Sequence, residues 1–196
     1  MPPVVAYHSI ISAYGFWLPN DPRGSWSDFV GSWDLLLAGG KATRIQTDRS
    51  VAAAPHDRTA RLAVKRRLKA PPVKFTGIQA RTIGHGMAGV IMARQYAVRA
   101  CAILPDHLHL VIARYARRIE SIISELKFAA TRQLYAEGLH PFQDWDGRRR
   151  ISAWAVGSWN VFLGTDDISR AVHYVENNPI KQGLSRQRWS FVTPIS

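Results

Sequence analysis

The chain has little cysteine, few acidic residues and no long apolar run. Its 196 residues include a single cysteine, Cys101, so an internal disulfide is excluded. Cys101 lies in an apolar run, which favours a small core residue, and no neighbour in sequence would activate its thiol for catalysis. The apolar runs are too short to cross a bilayer, and the N-terminus has no secretory pattern. We therefore expect a cytosolic protein without a membrane partner.

Acidic residues are outnumbered, 14 against 26 lysines and arginines, which gives a formal net charge of +12. This excess favours a polyanionic partner. Nucleic acid is a better match than an anionic membrane surface, because no segment has the pattern of a basic amphipathic helix with exposed large apolar residues. A basic protein without such a partner would have the same composition. The charge therefore predicts a class of partner but not a chemistry.

Strand-like and helix-like patterns alternate along the chain. Apolar, β-branched runs predict strands at residues 4–12, 96–104 and 107–114. Apolar spacing, caps and helix breakers predict helices at residues 58–69, 74–94, 118–137 and 168–178. Residues 139–164 have the composition of a loop. The pattern as a whole indicates one α+β domain spanning residues 1–196.

Two histidines alternate with leucines in the segment Leu104–Ile112 (LPDHLHLVI). In a strand, alternate residues share a face, so His107 and His109 project together, away from the leucines that enter the core. Two imidazoles at this spacing can bind one divalent metal ion when further ligands come from elsewhere. A pair of partly exposed strand histidines without a metal explains the same pattern, so a third ligand is needed to decide.

A candidate third ligand lies in the segment His173–Pro179 (HYVENNP). Tyr174 and Asn178 are one helical turn apart and share a face, while Val172 and Val175 mark a different stripe that suits the core. Asn178 offers a neutral oxygen of the kind that hard divalent ions accept. Tyr174 would then be placed to attack a phosphate polarised by the metal. A surface tyrosine followed by an Asn-Pro helix stop is the alternative without function.

The segments LPDHLHL (residues 104–110) and YVENNPIKQGL (residues 174–184) resemble the signature segments of single-tyrosine HUH transposases. The likeness is greatest to the REP-associated tyrosine transposases, which are relatives of the small insertion-sequence transposases. It covers the chain from about residue 4 to residue 189, with an insertion around residues 32–73. The resemblance implies the HUH endonuclease fold, a ferredoxin-like or RRM-like α+β sandwich with a central antiparallel sheet and flanking helices.

The resemblance also implies a role for each candidate site residue. His107, His109 and Asn178 would hold a divalent metal ion, Mg²⁺ or Mn²⁺, and Tyr174 would be the nucleophile. Many insertion-sequence members have glutamine where this chain has Asn178, and the shorter side chain can change the position or the preference of the metal. Tyr135 is the main rival nucleophile, but it has no ligand-type residue one helical turn further on.

The implied reaction is metal-dependent cleavage and rejoining of single-stranded or hairpin DNA through a 5′-phosphotyrosine intermediate, as in DNA transposition. The relatives imply a cytoplasmic, nucleoid-associated protein and include homodimers. Two other functions stay open at the level of sequence. One is a non-catalytic nucleic-acid-binding regulator with the same fold. The other is a metal-dependent phosphodiester hydrolase that activates water and leaves Tyr174 idle.

Basic residues near aromatic side chains are expected to hold the DNA, because single strands bind to positively charged grooves with stacking platforms. The arginine run beside Trp145 and Trp154 is the favoured site, since it precedes the predicted tyrosine helix. Each charge run alone is also typical of a solvated face. The candidates are Arg148, Arg149, Arg150, Lys127, Arg132, Lys65 and Arg66.

Overall fold

The computed structural model describes residues 3–18, 33–39, 57–144 and 151–193. The chain forms two compact units, one of Met1–Ala13 with Val73–Ser196 and one of Tyr14–Pro72. The insertion predicted at residues 32–73 lies almost entirely in the second unit, which begins earlier, at Tyr14. The single-domain organisation stays a prediction.

A four-stranded antiparallel sheet forms the centre of the first unit. Its strands pair in the order β2-β3-β1-β4. Helices follow β1 and β3, so the chain runs β-α-β-β-α-β, the ferredoxin-like arrangement. The predicted α+β fold class with a central antiparallel sheet is confirmed. The strands are β1 (Ala6–Ser12), β2 (Val98–Ile103), β3 (His107–Ala113) and β4 (Trp159–Leu163).

The described residues contain five α-helices, of which α1 and α2 belong to the second unit. In the first unit α3 and α4 pack against each other, and α5 packs on β2 and β3. A small apolar cluster joins Ala171 and Val175 of α5 to Ala100, Ala102 and Val111 of the sheet. The helices are α1 (Trp33–Gly39), α2 (Arg58–Arg66), α3 (Gly77–Arg94), α4 (Ile119–Ala136) and α5 (Ile168–Lys181).

Capping residues explain where two of the predicted helices begin. The Asp57 carboxylate accepts a hydrogen bond from the Ala60 N–H at 2.9 Å, as the sequence predicted for the start of α2. Before α3, Thr76 and Gln79 form a capping box, each side chain accepting from the backbone N–H of the other residue. Helix α3 therefore starts at Gly77, three residues later than predicted.

Two of the four glycines of α3, Gly84 and Gly86, lie where the helix meets its neighbours. A Cβ atom at Gly84 would overlap the indole ring of Trp189, and one at Gly86 would lie 2.7 Å from the Ala129 carbonyl oxygen of α4. The close approach of Trp189 and α4 therefore requires glycine at positions 84 and 86, although glycine lowers the intrinsic helix propensity. From the sequence alone, these glycines indicate only a lower helix propensity.

Three elements differ from the sequence prediction. Residues 139–164 contain β4, a short edge strand that, among the described strands, pairs only with β1. It leaves Phe162 exposed, so its alternation is weak. Helix α1 was not predicted, since it lies next to turn-rich sequence. Helix α5 continues through Pro179 to Lys181 and ends where Gly183 takes a positive φ of 72°.

The C-terminal segment (residues 184–193) runs along the outer side of β2. The Gln187 side chain accepts a hydrogen bond from the Ile103 N–H at 2.8 Å and donates one to the Ile103 carbonyl at 2.7 Å. Further along, the Thr193 N–H donates to the Val98 carbonyl at 2.8 Å. The segment thereby satisfies backbone groups that an edge strand would otherwise present to solvent.

Candidate active site

The histidine pair of β3 lies on the face of the sheet that α5 covers. Leu108, Leu110 and Ile112 are fully buried on the opposite face. His107 is half-buried and His109 is only 3% exposed. The alternation predicted for this strand is therefore present, and both imidazoles project from one side of the sheet.

A third histidine, His8 of β1, extends the pair into a row of rings. His107 Nε2 and His109 Nε2 face each other at 2.9 Å. The other ring nitrogen of His109, Nδ1, lies 2.9 Å from His8 Nε2. His107 Nδ1 lies 2.6 Å from the Asp106 carboxylate. Each of the two β3 histidines thus has one nitrogen next to an outer partner and one directed at the other histidine of the pair.

Burial keeps the inner part of this row neutral. Desolvation lowers the pKa of His8 to about 4. Burial is also the largest cause that lowers the pKa of His109 well below its usual range, and the nearby positive charge of His107 or His8 would add to this effect. Neutral imidazole is the form that binds metal ions and accepts hydrogen bonds.

Tyr174 of α5 lies over the histidine row. Its ring is 5.6 Å from that of His109 and 5.8 Å from that of His8, with near-perpendicular and T-shaped orientations. The side chain is 44% exposed, so its hydroxyl can be reached by a substrate. The Lys181 ammonium lies 5.1 Å from the centre of the tyrosine ring. The structure therefore brings Tyr174 and His109 together, as the sequence predicted for a shared site.

Asn178 follows Tyr174 by one turn of α5 and is buried. Its side-chain amide makes no hydrogen bond with any of the residues that the structure describes. Neither polar atom of this amide is among the fully buried, unpartnered side-chain atoms of the described residues, so the amide reaches solvent. The neighbouring Asn177 instead donates to Nε2 and to the carbonyl of His173, both at 2.9 Å, on the exposed side of the helix. Those two residues are therefore engaged with each other.

The residues present supply two imidazole donors for a divalent metal ion, and Asn178 is the candidate for the third. The facing Nε2 atoms of His107 and His109 would be the donors, while the Asp106 carboxylate lies at Nδ1 of His107 and His8 Nε2 at Nδ1 of His109. Across the described residues, no group of three or more His, Cys, Asp or Glu side chains is arranged to hold a metal. The set therefore depends on the amide of Asn178.

The basic residues predicted to hold DNA have different surroundings. Arg148, Arg149 and Arg150 lie outside the described residues. The Lys127 ammonium donates to the carbonyls of Ala155 and Gly157 at 2.8 and 2.5 Å. Its burial lowers the pKa of Lys127 to about 8. Lys127 thus holds the segment that leads into β4.

The other predicted DNA contacts differ in their exposure: Arg132 and Arg66 are exposed, and Lys65 is half-buried. Arg132 of α4 lies over the exposed ring of Phe128, 6.0 Å from its centre. In the second unit, the Lys65 ammonium lies 5.6 Å from the centre of the Phe16 ring, and Arg66 is exposed. The Arg132–Phe128 pair is exposed and can stack on nucleobases, whereas the Phe16 ring is buried. Their role in binding stays a prediction.

Two residues weighed as alternatives lie away from the histidine row. The ring of Tyr135, the rival nucleophile, stacks on buried His140 with 4.0 Å between the ring centres. Cys101 is buried in β2, and burial raises the pKa of its thiol far above the usual range. That surrounding stabilises the unreactive thiol form.

The sequence patterns do not identify three residues of this site. His8 belongs to a predicted strand, and its only signal is that it is a histidine in an otherwise apolar run. Asp106 lies in the connection that leads into β3, and no sequence pattern marks Lys181. The pairing of β1 with β3 places His8 opposite Val111 and so brings it to the histidine pair. The sequence does not show this pairing.

No protein-family model matches the chain, and a search of curated proteins gives no match either. Among solved structures, the chain is similar to a REP-associated tyrosine transposase bound to a REP hairpin. The two share 14% identity with a TM-score of 0.48 over 94% of this chain and 72% of that one. It is also similar to a Deinococcus radiodurans R1 protein provisionally assigned as a transposase, at 14% identity and a TM-score of 0.40, covering 88% of each chain.

Proposed function

We propose that this protein cleaves and rejoins single-stranded DNA, with Tyr174 as the nucleophile and a divalent metal ion held by His107, His109 and Asn178. The observation that carries the proposal is the contact of the Tyr174 ring with the ring of His109, whose Nε2 faces that of His107. A nucleophile beside a metal-binding pair is the arrangement that phosphoryl transfer requires. The net charge of +12 suits the polyanionic substrate.

In the proposed reaction, the Tyr174 hydroxyl oxygen bonds to a DNA phosphorus and the bond from phosphorus to the 3′ oxygen breaks. The phenolic proton leaves to solvent, and the departing 3′ oxygen takes up a proton. One phosphodiester bond replaces another, so no nucleotide cofactor is needed. The reverse attack by a 3′-hydroxyl on the phosphotyrosine rejoins the strand or joins it to another, which is the chemistry of transposition.

The chain's own residues orient these groups. Tyr174 is fixed on a helix whose other stripe, with Ala171 and Val175, is packed on the sheet. The Lys181 ammonium next to the tyrosine ring supplies positive charge where a phosphate and a phenolate would meet. A bound divalent ion would supply Lewis-acid polarisation of the phosphate. Of Mg²⁺ and Mn²⁺, the second better suits a donor set with two imidazoles.

The substrate class follows from the resemblance of the two signature segments. Relatives act on DNA ends that carry a hairpin, so we expect a single strand next to a hairpin as the substrate here. A metal-dependent hydrolase is the second candidate, because the same metal site could activate water. The position of Tyr174 against the histidine row favours strand transfer.

The experiment that tests the proposal follows the label after cleavage. The protein is incubated with Mn²⁺ and a hairpin-bearing oligonucleotide labelled at either end, and the products are separated on a denaturing gel. A 5′-phosphotyrosine intermediate predicts that the 3′ label travels with the protein and that the 5′ label is released on a shorter strand. Cleavage with neither label on the protein supports hydrolysis, and no cleavage with any substrate overturns the enzyme proposal.

Replacing Asn178 tests the third ligand. We expect Asn178→Ala to weaken Mn²⁺ binding at least about tenfold, since a lost ligand costs roughly 1.4 kcal/mol or more. Titration calorimetry measures the affinity. The matched control is Asn177→Ala, which removes an amide that bonds only to His173 on the described part of the helix. Equal affinities for the two variants would show that Asn178 is not a ligand.

Replacing Lys181 tests the charge beside the nucleophile. We expect Lys181→Met to slow adduct formation about fivefold, because the positive charge beside the reacting phenolate and phosphate is lost, and an exposed charge pair contributes up to ~1 kcal/mol. Single-turnover kinetics with the 3′-labelled oligonucleotide give the rate. Lys181→Arg should retain most of it. Arg170→Met is the control, since the Arg170 guanidinium is paired with Asp167 at 2.6 Å. A similar loss in both methionine variants would point to general DNA binding.

A further inference from the structure

We propose that His8 is a positioning residue, which fixes the ring of His109 so that His109 Nε2 is presented to the metal ion. This inference rests on the proposed metal-dependent function. It concerns a residue from a different strand, 101 positions away from His109 in sequence. The two strands bring the rings together through the pairing of β1 with β3.

The contact is specific on geometric grounds. His8 Nε2 and His109 Nδ1 are 2.9 Å apart, and their ring centres lie 5.1 Å apart with 33° between the ring planes. Both rings are buried, His8 at 9% exposure and His109 at 3%. A hydrogen bond between buried groups is costly to lose, because the orphaned group cannot bond to water instead. The pair therefore restrains the His109 ring strongly.

The direction of this hydrogen bond follows from proton placement. A histidine that offers Nε2 to a metal must carry its remaining proton on Nδ1. For His109 that proton points at His8 Nε2, so His8 must accept with a bare Nε2 and hold its own proton on Nδ1. His107 is arranged in the same way, with Nδ1 against the Asp106 carboxylate. The two ligands thus have matching outer partners, one carboxylate and one imidazole.

His8 also contacts Tyr174, with 5.8 Å between the ring centres. The same side chain therefore touches both the predicted metal ligand and the predicted nucleophile. Two substitutions separate these contacts. His8→Phe keeps an aromatic ring beside Tyr174 but removes the acceptor, whereas His8→Gln keeps an acceptor oxygen and removes the ring.

The first measurement is Mn²⁺ affinity by titration calorimetry on the full chain. We expect His8→Phe to weaken binding about 10- to 100-fold, as loss of an outer partner of a metal-binding histidine does. His8→Gln should bind within about threefold of the unmodified protein, because the hydrogen bond is retained. His140→Phe is the matched control, since His140 is a buried histidine that stacks on Tyr135 outside the histidine row.

The second measurement is nitrogen NMR of the histidine rings, with the protein loaded with diamagnetic Mg²⁺. The unmodified protein should show scalar coupling between His109 Nδ1 and His8 Nε2 across the hydrogen bond, and a slowly exchanging proton on His109 Nδ1. His8→Phe should remove the coupling and speed the exchange, while His140→Phe should leave both unchanged. A purely structural role for His8 would alter stability without this signature.

The outcomes distinguish the inference from the function on which it rests. If the unmodified protein binds Mn²⁺ and His8→Phe binds it equally well, the positioning role is overturned and the proposed function stands. If His8→Phe and His8→Gln lose affinity to the same extent, the acceptor is not the cause and the inference is overturned. If the unmodified protein binds no divalent ion, the metal-dependent function fails, and this inference fails with it.

Discussion

Tyr174→Phe is expected to abolish the covalent protein–DNA adduct and to slow cleavage by at least about a thousandfold, because the only atom removed is the one that attacks phosphorus. The remaining ring can keep its packing against His8 and His109. Metal affinity and the unfolding temperature should therefore stay close to those of the unmodified protein. The adduct is read on a denaturing gel, and the cleavage rate under single-turnover conditions.

The matched control for this variant is Tyr135→Phe. Tyr135 is the rival nucleophile of the long helix α4, and its ring stacks on His140 rather than on the histidine row. We expect this variant to form the adduct at the normal rate. An adduct that persists in Tyr174→Phe and disappears in Tyr135→Phe would move the active site to α4. Cleavage that persists in both without an adduct would favour a hydrolase.

His109→Ala is expected to lose measurable Mn²⁺ binding, a drop of at least about a hundredfold, and to lose cleavage with it. His109 is the central ring of the row, since it faces His107 with one nitrogen and His8 with the other. The alanine variant removes a metal donor and leaves the His8 acceptor without its partner. Calorimetry measures the metal affinity, and circular dichroism checks that the variant remains folded.

Removal of a buried histidine can also weaken the fold, so a control with the same change is needed. His140→Ala deletes a buried imidazole of similar exposure from the turn that follows α4. It should keep the Mn²⁺ affinity of the unmodified protein even if its unfolding temperature falls. Retained Mn²⁺ binding by folded His109→Ala would contradict the metal site, and a matching loss in both variants would indicate a general effect of destabilisation.

Local sequence signals predicted much of the fold because they act over short distances. Alternating leucines and histidines identified β3, and Asp57 marked the start of α2 through a bond to the third residue of the helix. The alternation also predicted correctly that His107 and His109 share a face. These features depend on residues that are only a few positions apart, so they can be recognised in the sequence.

Elements stabilised by distant partners were harder to predict. Strand β4 forms because it pairs with β1, which lies about 150 positions earlier in the sequence. Gly84 weakens α3 as an isolated helix but allows the ring of Trp189 to pack on it. Pro179 indicated the end of α5, yet the helix continues to a turn closed at Gly183. In each case tertiary contacts outweigh local propensity.

The candidate site divides in the same way. Tyr174 and Asn178 could be paired from the sequence because one helical turn separates them. His8 could not be assigned, since its relation to His109 depends on the register between β1 and β3. Lys127 shows the converse, because its charge predicted a DNA contact while its ammonium bonds to two backbone carbonyls. Charge in a sequence does not reveal which lysines hold the protein's own backbone.

The C-terminal segment beside β2 restricts how the sheet can be extended. Gln187 and Thr193 occupy hydrogen-bonding groups of Ile103 and Val98 from within the chain. An incoming extended peptide, or the same strand of a second copy, would have to displace this segment before it could add to the sheet at those positions. Intermolecular β-pairing through β2 is therefore blocked while the segment is bound. A homodimer that keeps this segment in place cannot form by strand pairing with these groups of β2.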